Sequence, residues 1–116
     1  MKVLLIILIS IHGLIHLLGF AKAFNLASIN QLSQPISKLN GGLWLFTAIM
    51  FALAAALVLM DREMWCVFSL LGIIISQYLI IDAWPDAKYG TIANIIILII
   101  TAIGFVAWML DKNRVI

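Results

Sequence analysis

His12 and His16 stand four residues apart inside an unbroken apolar run. On a helix that spacing puts both imidazoles on one face. Two such histidines can share a metal ion, but a third ligand is needed. Asp82 is the nearest carboxylate candidate, and by residue count along the helices it lies about 10 Å too shallow to meet His16. The two rings cannot bracket one haem, because they project from the same side of one helix. Histidine titrates near neutral pH, so a proton relay is a second chemistry open to the pair. The third is structural: buried imidazoles stay neutral and bond across helices, at about 0.6–2 kcal/mol per bond.

The elements that carry these side chains are apolar. Four blocks, 3–23, 42–60, 64–81 and 91–110, are 18 to 21 residues long, and the only charge in them is Lys22. A helix of about 20 apolar residues crosses the roughly 30 Å core of a bilayer. The chain is 66% hydrophobic and 10% charged. A chain of 116 residues cannot hide four helices that are apolar all round from water. Barrel strands are excluded because the blocks do not alternate polar and apolar residues. The expected fold is all-α: an antiparallel transmembrane four-helix bundle forming a single domain over 1–116.

A net charge of +2 with no basic run argues against nucleic acid as a partner. Cys66 is the only cysteine, so no internal disulfide can form, and its apolar setting points to an inert buried thiol. Lys2, the apolar run and Ala21-Lys22-Ala23 imitate a secretory signal. The run exceeds the usual apolar core of about 7–15 residues and contains two histidines, so a retained membrane helix is expected.

The connections differ in character. Asp61-Arg62-Glu63 is a minimal polar turn and makes its flanking helices antiparallel neighbours. Pro85 should terminate the third helix, and Thr91 should cap the fourth, with Gly90 easing the entry. In the segment 25–40, Leu26, Ile29, Leu32, Ile36 and Leu39 recur at helical intervals, which predicts a short amphipathic helix in the membrane interface, broken near Pro35. A cap over the bundle and a plain loop are the alternatives. Trp44, Trp65, Trp84 and Trp108 fall near block ends, as an interfacial aromatic belt requires. Lys2, Arg62, Lys112 and Arg114 on the side of the termini outnumber Lys22, Lys38 and Lys88 opposite, which favours cytoplasmic termini. No internal repeat is visible.

Intramembrane polar groups are costly, so each is a candidate for function. Counting rise per residue, His12 lies mid-helix, His16 roughly 10 Å from the edge at the first connection, Gln77 about 7 Å and Asn94 about 5 Å from the same edge. Asp82 and Lys22 stand at the rim. This lopsided inventory describes a cup that opens toward one surface, lined by His16, Gln77 and Asn94. Within it His16 is expected to contact a ligand and His12 mainly to support packing. Ser69, Gly72 and Ser76 read as a packing surface, as does the stripe from Asn94 to Thr101. Asp82 is expected to cap backbone or to pair with Lys88.

The run from His12 through Phe24 (HGLIHLLGFAKAF), Ser76-Gln77 and the run from Trp84 through Asn94 (WPDAKYGTIAN) resemble the signatures of a group of uncharacterised bacterial small membrane proteins. That resemblance implies a four-helix membrane fold with a shared site on one face, and no established activity. More distantly the chain is similar to DoxX-like proteins, which are sometimes tied to quinone or thiol redox systems, though it lacks the cysteine pair that thiol exchange needs. Small multidrug transporters share its size, but where they carry an embedded glutamate this chain has histidines.

The expectation is therefore a bacterial inner-membrane protein that binds a small or lipid-like molecule, or a partner subunit, in a one-sided polar cavity. Membrane lipid surrounds it, and a second copy is a further candidate partner. A quinone-linked redox subunit and a minimal proton-coupled transporter are the alternatives. No metal is assigned, and the cofactor is left unknown.

Overall fold

A computed structural model describes residues 2–114, with side chains through Asp111; the Lys112 and Arg114 charges counted above lie outside the described side chains. The chain is all-α. Its helices are α1 (Lys2–Ala23), α2 (Lys38–Leu59), α3 (Trp65–Asp82), α4 (Trp84–Ala87) and α5 (Gly90–Arg114). Four of them are long and apolar enough to cross a membrane, the last over Gly90–Asp111. The construction is that of a small multi-pass membrane protein. α1 packs along α2, α2 along α3 and α3 along α5, while a briefer meeting of α1 with α5 closes the ring.

Local chemistry sets the helix ends. Ser37 accepts the Asn40 amide on its hydroxyl and caps α2, so that helix begins at Lys38, ahead of the expected residue 42. Asn25 ends α1 in the left-handed region, with the Leu26 amide bonded back to Ala21 O, and Asp61 does the same after α2, its φ 57°. Asp61 also takes Lys2 Nζ at 2.7 Å, which ties the start of α1 to the α2–α3 turn in an exposed ion pair.

Three expectations need correction. The segment between Ala23 and Lys38 holds turns and bends and no helix. Its stripe does not lie on a common face: Leu32 is buried and Ile36 packs on the bundle, while Leu26 is 65% exposed. Its polar backbone turns to side chains instead, as described below, so it caps the bundle. Pro85 does more than end α3; it occupies the first turn of α4, where a missing N–H costs nothing. Thr91 does not cap the fourth span, because Gly90 is already helical and the Thr91 hydroxyl accepts from Gln77 Nε2 at 3.1 Å.

Two apolar clusters fill the interior. The larger, near the α2–α3 turn, includes Leu5, Ile9, Phe51, Val58, Ile73 and Ile97. The smaller gathers Trp44, Leu79 and Ala83 near the opposite end. Trp44 is only 4% exposed, so it belongs to the core and not to the interfacial belt. Gly19 makes this possible, because the Trp44 ring occupies the space that a β-carbon on Gly19 would need.

The spans are not flush. A β-carbon on Gly90 would lie 3.9 Å from His12 Cε1 and 2.9 Å from Ile80 Cδ1. α5 therefore starts level with the middle of α1. At its other end Gly104 already packs on Trp65, the first residue of α3. The staggered start leaves the wall between α1 and α5 missing on the side of the first connection, and α4 and the connection fill only part of that notch.

Candidate functional site

Between the two apolar clusters lies a buried polar layer. His12 and His16 project from α1, Ser76 and Gln77 from α3 and Asn94 from α5. The imidazole centroids are 4.8 Å apart and nearly perpendicular. Phe51 packs on both rings, and Trp44 lies 5.2 Å from His16. His16 and Ser76 are fully buried, and Asn94 nearly so.

The hydrogen bonds of this layer have a fixed direction. His16 Nδ1 lies 2.7 Å from the backbone oxygen of His12, which can only accept, so Nδ1 carries the hydrogen. Both imidazoles are neutral, because no carboxylate is among their partners and an uncompensated charge inside a span is costly. His16 Nε2 is then a bare acceptor, and the Ser76 hydroxyl 2.7 Å away must donate to it. The Ser76 oxygen in turn accepts from Asn94 Nδ2 at 3.0 Å. The other Nδ2 hydrogen goes to Gln77 Oε1 at 3.1 Å. That orients the Asn94 amide with its oxygen toward His12, so His12 Nε2 donates to Asn94 Oδ1 at 2.7 Å. The two histidines are thus locked in opposite tautomers, Nδ1–H in His16 and Nε2–H in His12.

One atom is left over. His12 Nδ1 is a lone-pair acceptor with no hydrogen bond. Among the described residues no sequestered side-chain nitrogen or oxygen lacks a partner. Nδ1 must therefore reach open space, and His12 does line a cavity of about 440 Å³ in the notch between α1 and α5. His16, Trp44, Ile80, Ala93 and Leu32 contribute to its walls, which are mostly apolar; Gln31, Asp86 and Tyr89 also border it. Pockets of about 300–1,000 Å³, apolar with a few convergent polar groups, are the usual size and character of small-molecule sites.

The six candidate residues divide into three groups. His12 and His16 face the cavity. Asn94 and Gln77 stand behind the histidines and hold them. Asp82 and Lys22 serve elsewhere: Asp82 takes Asn40 Nδ2 at 2.9 Å, not Lys88, and Lys22 Nζ donates to Leu32 O, fastening the connection. Lys88 lies over the Tyr89 ring. The expected ranking of the histidines is reversed in one respect: both ring nitrogens of His16 are engaged, and the spare one belongs to His12. Ser76, taken from the sequence for packing, is the hinge of the network. Farther along the same helices, Ser69 and Thr101 share a hydrogen bond at 2.8 Å that joins α3 to α5. Among the described residues, no three histidine, cysteine or acidic side chains gather as metal ligands.

No family model, curated protein or solved structure matches the chain.

Asp86 on α4 fastens the lid of the cavity. Its Oδ1 accepts the Ser33 hydroxyl at 2.6 Å, and its Oδ2 accepts the backbone amides of Ser33 and Gln34, each at 2.8 Å. The Ser33 hydroxyl, then the Gln34 amide, hold the Asp86 carboxyl below the ordinary aspartate range, with Lys22 a smaller contributor. A pKa lowered by folding means the contribution is complete above the ordinary aspartate range and is lost as pH falls through the lowered value. The Ser33 and Gln34 amides are accordingly expected to show hydrogen-exchange protection at neutral pH. That protection should decline on acidification below the aspartate range and be absent at every pH in Asp86→Ala. Protection unchanged in Asp86→Ala would mean that another group holds the connection.

Proposed function

We propose that this chain is a bacterial inner-membrane protein that binds a small, largely apolar molecule in the cavity between α1 and α5. The observation that carries this reading is His12 Nδ1, an accessible acceptor without a partner on a residue that lines an apolar cavity. His16, by contrast, has both ring nitrogens engaged within the bundle. The opening lies at the end of the bundle where α4 and the first connection meet, so a ligand enters from the headgroup region. The excess of positive charge on the side of the termini supports an orientation with the termini in the cytoplasm and this opening on the far side. A cysteine at Gln34 is then labelled from outside intact cells and one at Arg62 is not; the reverse pattern inverts the orientation.

The two runs that resemble the bacterial small membrane proteins supply His12, His16, Asp86, Tyr89 and Asn94, so that resemblance and the cavity fall on the same residues. Proton-coupled transport is less well served. The path from His12 to His16 passes through the Asn94 amide, which holds its hydrogens and interrupts a relay.

Filling the cavity tests the proposal. Ala93 lines it from the first turns of α5 and is only partly buried, so a large side chain there leaves the core intact. In lipid nanodiscs, para-hexylphenol is expected to raise the unfolding midpoint of the wild-type protein and to leave that of Ala93→Trp unchanged. Equal stabilisation of both proteins would place the binding elsewhere.

A further inference from the structure

We infer that the cavity selects molecules whose head group donates a hydrogen bond: a neutral amphiphile with a hydroxyl, such as an alcohol or a phenol, in preference to one with only a carbonyl, ester or ether oxygen. This rests on the cavity being a binding site and adds the polarity of its ligand.

The selection follows from the lock on the tautomers. An isolated neutral imidazole meets either kind of head group, because it can place its hydrogen on whichever nitrogen faces the ligand. His12 lacks that freedom. Moving its hydrogen to Nδ1 would leave Nε2 and Asn94 Oδ1 facing each other as two acceptors 2.7 Å apart. Turning the Asn94 amide to relieve that contact would aim its oxygen at Ser76 and Gln77 Oε1. The Ser76 hydrogen is already committed to His16 Nε2, and His16 Nδ1 is committed to the backbone oxygen of His12. Each reversal forces the next, and the series ends on a carbonyl that cannot donate. His12 Nδ1 therefore stays an acceptor, and a ligand oxygen without a hydrogen meets its lone pair.

Of the remaining inner walls only Trp44 carries a donor, its indole N–H; a hydroxyl can accept from it and still donate to His12, whereas an ether that accepts from it leaves the His12 lone pair unpaired. Ile15, Leu18, Ile80 and Ala93 offer no donor to a ligand oxygen at that depth, and the Gln31 amide and the Tyr89 hydroxyl lie on exposed residues at the rim. Asp86 has both oxygens taken by the connection, and Lys22 is engaged with Leu32. Among the residues that border the cavity only Asp86 is charged, and it is already bonded, which suits a neutral head group better than a charged one.

The test uses two probes that differ by one hydrogen-bond donor, para-hexylphenol and its methyl ether para-hexylanisole, with dissociation constants measured on the full chain in nanodiscs. The phenol is expected to bind about tenfold or more tightly than the ether, the preference set by leaving a buried acceptor unpaired. In Asn94→Leu the imidazole is released to choose its tautomer, and that ratio should collapse toward one while the phenol still binds. Equal binding of both probes to the wild-type protein overturns the inference and leaves the cavity as a binding site. Binding of neither overturns the cavity proposal and the inference with it. Should Asn94→Leu fail to fold, the wild-type ratio decides alone.

Discussion

The backbone oxygen of His12 accepts a hydrogen from the His16 ring one turn along the same helix, and the polar interior of the protein is organised by that bond. In water such a contact would dictate little, since every neighbour could bond to solvent. Inside an apolar bundle each donor must find an acceptor among a few fixed atoms. One oxygen that can only accept therefore dictates the state of His16, then Ser76, then Asn94, then His12. A local i, i+4 contact on α1 is converted into a statement about which atom of another residue faces a cavity. The network also joins α1 to α3 and α5, the pairings that apolar packing alone specifies least, because lipid tails compete equally with leucine and isoleucine.

The cavity itself is a product of helix lengths and glycines. α3 stops at Asp82, the chain turns through the single turn of α4, and α5 re-enters level with His12. Gly90 eases that depth, since a β-carbon there would push on the terminal methyl of Ile80. Gly19 lets Trp44 sit flat against α1 and seal the inner wall. The first connection, pinned by Asp86 and Lys22, covers part of the notch from above. The hydrogen-bonded layer thus lies next to the cavity, the arrangement needed to hold one acceptor at a defined angle to a visitor.

Much of this was legible in the residues. Long apolar blocks fixed four spans, since 18 or more such residues have no other stable home. The polar side chains within them named His12, His16, Gln77 and Asn94 as neighbours, because groups that cannot face lipid must face each other. Depth counting placed Asn94 too near the surface, as it assumed that every span starts at the same lipid edge, and α5 does not. The stripe from Leu26 to Leu39 had helical spacing, yet backbone groups at Ser33 and Gln34 found a better partner in Asp86, a residue 52 or 53 positions away that no local pattern reveals. Ser76 was visible only as a small residue. Its role depends on a hydroxyl standing between two helices, which is a property of packing and not of sequence.

The most direct measurement is nitrogen-15 NMR of the two imidazoles in the folded protein, with each ring assigned by substituting the other. The account predicts opposite tautomers at neutral pH: His16 protonated on Nδ1 and His12 on Nε2, the latter with an unprotonated Nδ1. Finding both rings in the same tautomer, or His12 averaging between the two, would contradict it.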